Sequence, residues 1–317
     1  LLDSLRGQDY PNFELVFVDD RSTDGTGAAL EAFAASLPSG RVKLVKLDAN
    51  PGPNFKQYGL GKGIAAAAGE FLLFTDADCA MAPGWIGALA ARLADPAVGF
   101  AFGPVFKTVP GRRFLDYFQA YDHALRCFYL AAFAGIGQAA GAFGNNMIVR
   151  RAALEKIGGY AAVPYSVTED AALVSALRAG SGLKLRAATE PAARVLTQGE
   201  AGWRPYIVQC VRWNNGGLFS PETRTRLGFA ALAGMMAIGA FALPASLAFP
   251  ALWPLWGAMY LAMALSGAGT LRLAGSELPP PRWRYLVCAA FFPYFFTLLT
   301  ILGVAGMEVR WKGAKLG

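Results

Sequence analysis

Apolar and polar positions follow two different rhythms along this chain. In the first two-thirds, short apolar runs of strand length alternate with longer stretches of helical character. Phe13–Val18 (FELVFV), Arg41–Leu47 and Phe71–Thr75 (FLLFT) are rich in β-branched and aromatic residues, the composition of strands. Gly25–Leu37, entered through a Ser/Thr/Asp cluster, and the Ala-rich Tyr58–Gly69 read as helices between them. Alternating strands and helices predict βαβ units, hence an α/β fold with a mostly parallel, Rossmann-like sheet and flanking helices.

After residue 226 the rhythm changes. Leu227–Leu271 is 45 residues without a charge, and Tyr285–Met307 adds 23 more. A membrane-spanning helix needs about 20 apolar residues. The first run therefore fits two spans, with the turn expected around Pro244, Pro250 and Pro254, and the second fits one. The chain is thus expected to divide into a globular domain over 1–226 and a membrane region over 227–317 with about three hydrophobic helices. Arg204, Arg212, Arg224 and Arg226 precede the first span, and Arg272, Arg282 and Arg284 separate the last two. Basic loops mark the cytoplasmic side. The globular domain is therefore expected on the cytoplasmic face of an inner or plasma membrane, with Arg224 and Arg226 near anionic lipid headgroups. Arg112–Phe143 is aromatic and small-residue-rich. It fits either an interfacial segment or core helices over the sheet.

Composition narrows the chemistry. Of 317 residues 55% are hydrophobic and only 16% charged, against about 25% charged in an average soluble domain. The net charge of +7 comes without a Lys/Arg stripe interleaved with aromatics, so nucleic acid is not expected as a partner. The single histidine, His123, excludes any mechanism that needs two, and it is given no role. Cys79, Cys127, Cys210 and Cys288 are scattered without a CxxC pair and are expected to be reduced core thiols. The GLGKG run at residues 59–63 is not a phosphate-binding P-loop: it lacks the upstream glycine and the Ser or Thr after lysine.

Four constellations carry candidate chemistry. In VDDRSTDGT (18–26) a strand runs into Asp19 and Asp20, then a polar turn opens a helix. Helix capping by Ser22, Thr23 or Asp24 explains the turn but not two adjacent carboxylates, which suit a nucleobase or ribose. In TDAD (75–78), Asp76 and Asp78 lie two residues apart. On extended backbone they face one side, where Mg2+ or Mn2+ could sit with substrate phosphates. The alternative is a solvated turn. Thr168-Glu169-Asp170 opens a helical pattern. It suits either capping and the helix dipole or a general base. In QCVRW (209–213) a helix would put Gln209, Arg212 and Trp213 on one face: an amide, a cation for phosphate and an aromatic plate for a sugar. An interfacial anchor is the plainer use.

In order and spacing these motifs, with Lys56 in FKQYGLGKGI and the stretch GNNMIVRRAALEKIGGY (144–160), resemble the membrane-integrated family 2 glycosyltransferases of the GT-A fold. That branch includes cellulose synthase, hyaluronan synthase and ceramide glucosyltransferase, and the resemblance covers about residues 18–213. It implies an inverting transfer of a sugar from a nucleotide-sugar, a UDP-sugar above others, to a lipid or glycan acceptor at the membrane. It further implies that Asp19, Asp20, Lys56 and Asp76 bind the nucleotide-sugar, and that Asp76 and Asp78 hold Mg2+ or Mn2+. Asp170 would be the catalytic base with Glu169 in support, and Gln209, Arg212 and Trp213 would clamp acceptor and diphosphate. Processive polysaccharide synthesis and a non-catalytic membrane scaffold are the alternatives. The opening strand of the family is expected to lie before Leu1.

Overall fold

The computed structural model describes residues 1–317 except Pro53, Pro110, Ala140, Pro221, Glu308, Lys312, Gly313 and Gly317. Following the chain, the elements are α1 (Leu2–Arg6), β1 (Leu15–Asp20), α2 (Thr26–Ala35), β2 (Val42–Leu47), α3 (Phe55–Ala66), β3 (Phe71–Phe74), β4 (Ala80–Met81), α4 (Trp85–Arg92), β5 (Val98–Phe102), β6 (Val105–Thr108), α5 (Phe114–Gly135), β7 (Met147–Arg150), α6 (Arg151–Lys156), α7 (Glu169–Gly180), β8 (Lys184–Ala187), β9 (Val195–Gln198), α8 (Trp203–Leu218), α9 (Thr223–Ala248), α10 (Trp253–Ala274) and α11 (Arg284–Val304). The residues group into two compact units. One comprises residues 1–103 and 137–194, the other residues 104–136 and 195–317.

The first unit is the α/β one. β1 pairs in parallel with β2, Leu15 opposite Val42 through Asp20 opposite Leu47. The first strand begins at Leu15, two residues later than the pattern suggested, and Asp19 and Asp20 are its last rungs, at the strand end where they were expected. A four-stranded sheet runs in the order β3-β7-β5-β8. It is mixed: β5 and β8 are parallel, while β7 is antiparallel to both β3 and β5. The sequence pattern gave no direction for β7, because its partners lie far away along the chain. Its register places Met147 opposite Phe74, at the end of β3.

The core of this unit follows from those pairings. Every residue of β5 is buried, as expected of a strand covered on both faces. α4 contributes Trp85, Ile86 and Leu89, and α7 contributes Leu173, Val174 and Leu177. A buried polar pin crosses this core. Asn146 is fully buried; its Oδ1 accepts from the Trp85 indole at 2.9 Å and its Nδ2 donates to the Ala193 carbonyl at 2.8 Å. Gly103 leaves room for it, since a Cβ there would come within 2.3 Å of the Ala193 oxygen and 2.6 Å of Asn146 Nδ2.

In the second unit β6 and β9 pair in parallel, and α5, α8, α9, α10 and α11 form a helical assembly. Aromatic rings fill its centre. Phe118 meets Phe295 edge-on at 4.8 Å, and Tyr206 stacks on Phe295 at 5.6 Å, arrangements favoured by ring quadrupoles. Within Arg112–Phe143 the residues Phe114–Gly135 form α5, whose Leu115–Leu125 stretch is buried; the core-helix alternative applies to that stretch. α9, α10 and α11 contain three stretches long and apolar enough to cross a membrane, Thr223–Ala242, Pro250–Glu277 and Arg284–Val304. The turn between the first two is narrower than the prolines suggested. Pro244 lies inside α9, and Pro254 sits in the first turn of α10, where its missing N–H has no helical partner to lose.

Asn146→Ala strands the Trp85 indole N–H and the Ala193 carbonyl in the core. At 1–3 kcal/mol per buried unpaired group, the variant should lose about 2–6 kcal/mol. Chemical denaturation in detergent, monitored by tryptophan fluorescence, measures this.

Candidate active site

The acids singled out in the sequence from Asp19 to Asp170 all lie in the first unit, and three elements bring part of them together. α3 begins at Asn54, whose Oδ1 accepts from the backbone N–H groups of Lys56 and Gln57, a standard N-cap. The other end of the same amide donates to the Ser166 carbonyl at 2.8 Å. Gln57 adds bonds from Nε2 to the Val163 and Pro164 carbonyls. The start of α3 is thus stitched to the segment leading into α7. As a result Lys56 lies with its ammonium 2.9 Å from Asp76 Oδ1, 3.0 Å from Asp76 Oδ2 and 3.1 Å from Glu169 Oε1.

This ion triad joins the end of β3 to the start of α7. Burial alone would make the Lys56 ammonium easier to deprotonate, but the facing Glu169 and Asp76 carboxylates outweigh it and hold the lysine charged. Asp170, the next residue, feels the opposite balance. Burial, then the neighbouring Glu169 charge, push its carboxyl up to about 6, while Lys56 and the Ala171 and Gly144 amides pull it partly back. The Gly144 N–H donates to Asp170 Oδ2 at 2.8 Å, and the Ala171 N–H to Oδ1 at 2.8 Å. A Cβ on Gly144 would press to 3.2 Å from Asp170 Cβ, so glycine fits this close approach. Thr168 occupies the N-cap position of α7 but makes no side-chain cap bond. The carboxylate of Asp170 serves the first turn instead.

At the end of β1 the acids divide their work. Asp19 Oδ1 accepts the Ser22 N–H at 3.1 Å, and Asp24 Oδ1 accepts the Thr26 N–H at 3.0 Å, so Asp24 helps to cap α2. Asp20 accepts from Arg21 Nε at 2.8 Å and from Asn50 Nδ2 at 2.8 Å. Arg21 adopts a left-handed backbone, φ +59°, uncommon for a residue with a side chain. Its guanidinium lies over the Phe55 ring. Asn50 Nδ2 also reaches the Phe55 carbonyl at 2.9 Å, and so ties Asp20 to the start of α3. Asn50, Asn54 and Gly144 were not singled out in the sequence. Each acts through one amide or one missing Cβ, a signal visible only once distant segments are adjacent.

The expected metal pair lies just past β3. Asp78 is exposed and Asp76 half-buried. Among the described residues no group of three or more His, Cys, Asp or Glu side chains could hold a metal ion by itself. Two carboxylates fit a Mg2+ or Mn2+ that takes its remaining ligands from substrate phosphates and water. Asp76 would share its oxygens between such an ion and Lys56.

Gln209, Arg212 and Trp213 lie in the second unit, on α8, helical as expected. Gln209 Oε1 accepts from Lys107 Nζ at 2.7 Å, and its Nε2 donates to Glu200 Oε1 at 3.0 Å. His123 is buried beside them with Nδ1 2.9 Å from the Val105 carbonyl. Burial, then the Lys107 charge, keep it neutral, well below the ordinary imidazole range. The four cysteines are free and buried. Burial pushes Cys79 up to about 11 and Cys127 and Cys210 up to about 12, as inert structural thiols require.

The profile of glycosyl transferase family 21 matches residues 1–317. The chain belongs to glycosyl transferase family 21. Membership of this GT-A, family 2-like group agrees with the motif resemblance. Over 80 residues the chain is 40% identical to the poly(ribitol-phosphate) beta-N-acetylglucosaminyltransferase TarS of Staphylococcus aureus, covering 25% of this chain and 13% of that protein. Over 82 residues it is 35% identical to the succinoglycan biosynthesis protein ExoO of Rhizobium meliloti, covering 26% and 22%. The chain thus matches under a quarter of the length of either relative. Mannosyltransferase PcManGT from Pyrobaculum calidifontis, solved with GDP-Man and Mn2+, is 21% identical with a TM-score of 0.56 over 97% of this family 21 chain and 83% of its own, a likeness of fold.

Asn54→Ala removes both the α3 cap and the tie to Ser166. It should cost about 1–2 kcal/mol of stability, whereas Asn54→Asp, which keeps the cap and loses the tie, should cost less. Thermal unfolding midpoints of the two variants make the comparison.

Proposed function

We propose that this family 21 chain is an inverting, metal-dependent transferase that moves a sugar from a nucleotide-sugar, with UDP as the favoured nucleotide, to a lipid or glycan acceptor at a membrane. The observation that carries the reading is the Lys56 ammonium held between Asp76 and Glu169, with Asp170 next to Glu169. One residue links the donor-side acid to the acid pair that handles the proton. The GDP-Man and Mn2+ in the PcManGT complex and the name of TarS, a beta-N-acetylglucosaminyltransferase, support a nucleotide-sugar donor. Three helices apolar enough to span a bilayer support action at a membrane. In this reading residues 1–226 form the catalytic domain on the cytoplasmic face and 227–317 anchor it among membrane lipids.

Asp170 takes the proton of an acceptor hydroxyl as that oxygen attacks the anomeric carbon from the face opposite the diphosphate. The new C–O bond forms while the bond from the anomeric carbon to the diphosphate oxygen breaks, so the configuration inverts and the electron pair leaves on the nucleoside diphosphate. The Gly144 and Ala171 amides hold both oxygens of Asp170 in place, and a carboxyl raised to about 6 is a stronger base than an ordinary aspartate at neutral pH. Glu169 supports the base and fixes Lys56. Asp19 and Asp20 read the nucleoside. Asp76 and Asp78 would hold Mg2+ or Mn2+, which when bound offsets the charge of the departing diphosphate. Gln209, Arg212 and Trp213 clamp acceptor and diphosphate.

Membranes containing the protein, given a panel of UDP-sugars and GDP-mannose with Mg2+ or Mn2+, should release nucleoside diphosphate from one donor, and a chelator should abolish release. Asp170→Asn should lower the rate by about 10²–10⁴, the usual worth of a positioned base. No release from any donor in membranes that hold native acceptors would favour the scaffold. The base works deprotonated, so activity should be present above pH 6 and fall as pH drops through it. A pH–rate profile at saturating donor tests this.

A further inference from the structure

The second unit buries a charged cluster that the transfer step does not use directly. Lys107, on β6, is only 4% exposed. Burying an ammonium is costly unless its donors are satisfied, and such cations are usually met by a carboxylate. Here no carboxylate among the described residues forms an ion pair with it. The ammonium instead donates to Gln209 Oε1 at 2.7 Å and stands 5.1 Å from the centre of the Tyr206 ring and 5.6 Å from that of Trp213, distances at which an aromatic face attracts a cation.

The consequence for Gln209 is a single amide orientation. Its oxygen faces an ammonium, and its nitrogen faces the Glu200 carboxylate at 3.0 Å. Rotating the amide by half a turn would set NH2 against ammonium and oxygen against carboxylate, breaking two charge-assisted bonds at once. Trp213 is fixed in a similar way. The Arg126 guanidinium lies 5.5 Å from its ring centre and the His123 ring meets it edge-on at 5.6 Å. Arg126 is in turn held by Asp122 Oδ1 at 2.9 Å. The other oxygen of Asp122 accepts from the Tyr206 hydroxyl. Lys107 therefore touches two of the three motif residues on α8, and it lies 102 positions before Gln209. No spacing rule in the sequence connects them.

We propose that Lys107 is a positioning residue for glycosyl transfer. Its ammonium sets the direction of the Gln209 amide and holds one face of Trp213, and through them it aligns the acceptor or diphosphate. The inference rests on the proposed role of Gln209, Arg212 and Trp213 as that clamp. A salt bridge serving the fold alone would be expected to pair with a carboxylate. This lysine spends its hydrogen bond on the motif amide.

The test is a double-mutant cycle on nucleoside diphosphate release in membranes, with protein abundance matched. Lys107→Met should lower kcat/KM at least tenfold, and Lys107→Arg, which keeps a donor and a cation, should recover most of the loss. In a Gln209→Leu background the same Lys107→Met change should cost several-fold less than in wild type, because only the contact with Trp213 remains to be lost. A purely structural lysine would cost the same in both backgrounds. Equal losses, or full activity in Lys107→Met, would overturn the proposal. If Lys107→Met fails to accumulate, Glu200→Gln carries the test from the other end of the amide: a several-fold loss that disappears in the Gln209→Leu background supports it, and a loss that persists overturns it. Wild-type turnover separates the two ideas. An active wild type with an indifferent Lys107 sinks this inference alone, whereas an inactive wild type sinks the proposed function and this inference with it.

Discussion

The first unit turns on one ammonium. Lys56 lies between the carboxylates of Asp76 and Glu169 and ties one acid of each pair to the other. Two groups of aspartates and glutamates brought this close repel, and a cation between them turns repulsion into a link. The link fixes the end of β3 relative to the start of α7. It also sets the protonation of Asp170, whose carboxyl would rise further if the lysine charge were removed. The remaining arrangement serves this contact. Asn54 and Gln57 stitch α3 to residues 163–166, and Asn50 joins the end of β1 to the start of α3.

The second unit solves a related problem with a different partner. Its buried lysine is satisfied by an amide and two aromatic faces instead of carboxylates, while Asp122 is committed to Arg126 and Tyr206. Low dielectric strengthens such networks and makes each unpaired member expensive. That gives Gln209 and Trp213 on α8 one favoured orientation each. The apolar residues left exposed on α9, α10 and α11, among them Ile238, Phe241, Leu261, Leu265 and Ile301, would be costly in water and suit lipid contact.

Much of this was legible from local pattern. The strand–helix alternation gave the α/β class, the charge-free runs gave the three long apolar helices, and the order of the acidic motifs gave the family. Local pattern failed where a position is defined by a distant partner. β7 runs antiparallel to its neighbours because of pairings no window contains. Pro244 sits inside a helix that sequence rules would end. Asn50, Asn54, Gly144 and Lys107 look ordinary in sequence, since their value lies in segments 26 to 112 residues away. The acids were visible because carboxylates at strand ends are conspicuous. Of the groups that orient them, Lys56 was named through the family resemblance, whereas Asn50 and Asn54 were not.

The most direct test of the central claim is turnover by Lys56→Met in membranes, measured across pH at matched abundance. If Lys56 links the donor acids to the base, the rate should fall at least about a hundredfold, the scale of a lost charge at a reacting centre. Any residual activity should lose its acid limb at a higher pH than wild type, because the charge that eases ionisation of Asp170 has gone. An unchanged rate with an unmoved limb would contradict the account.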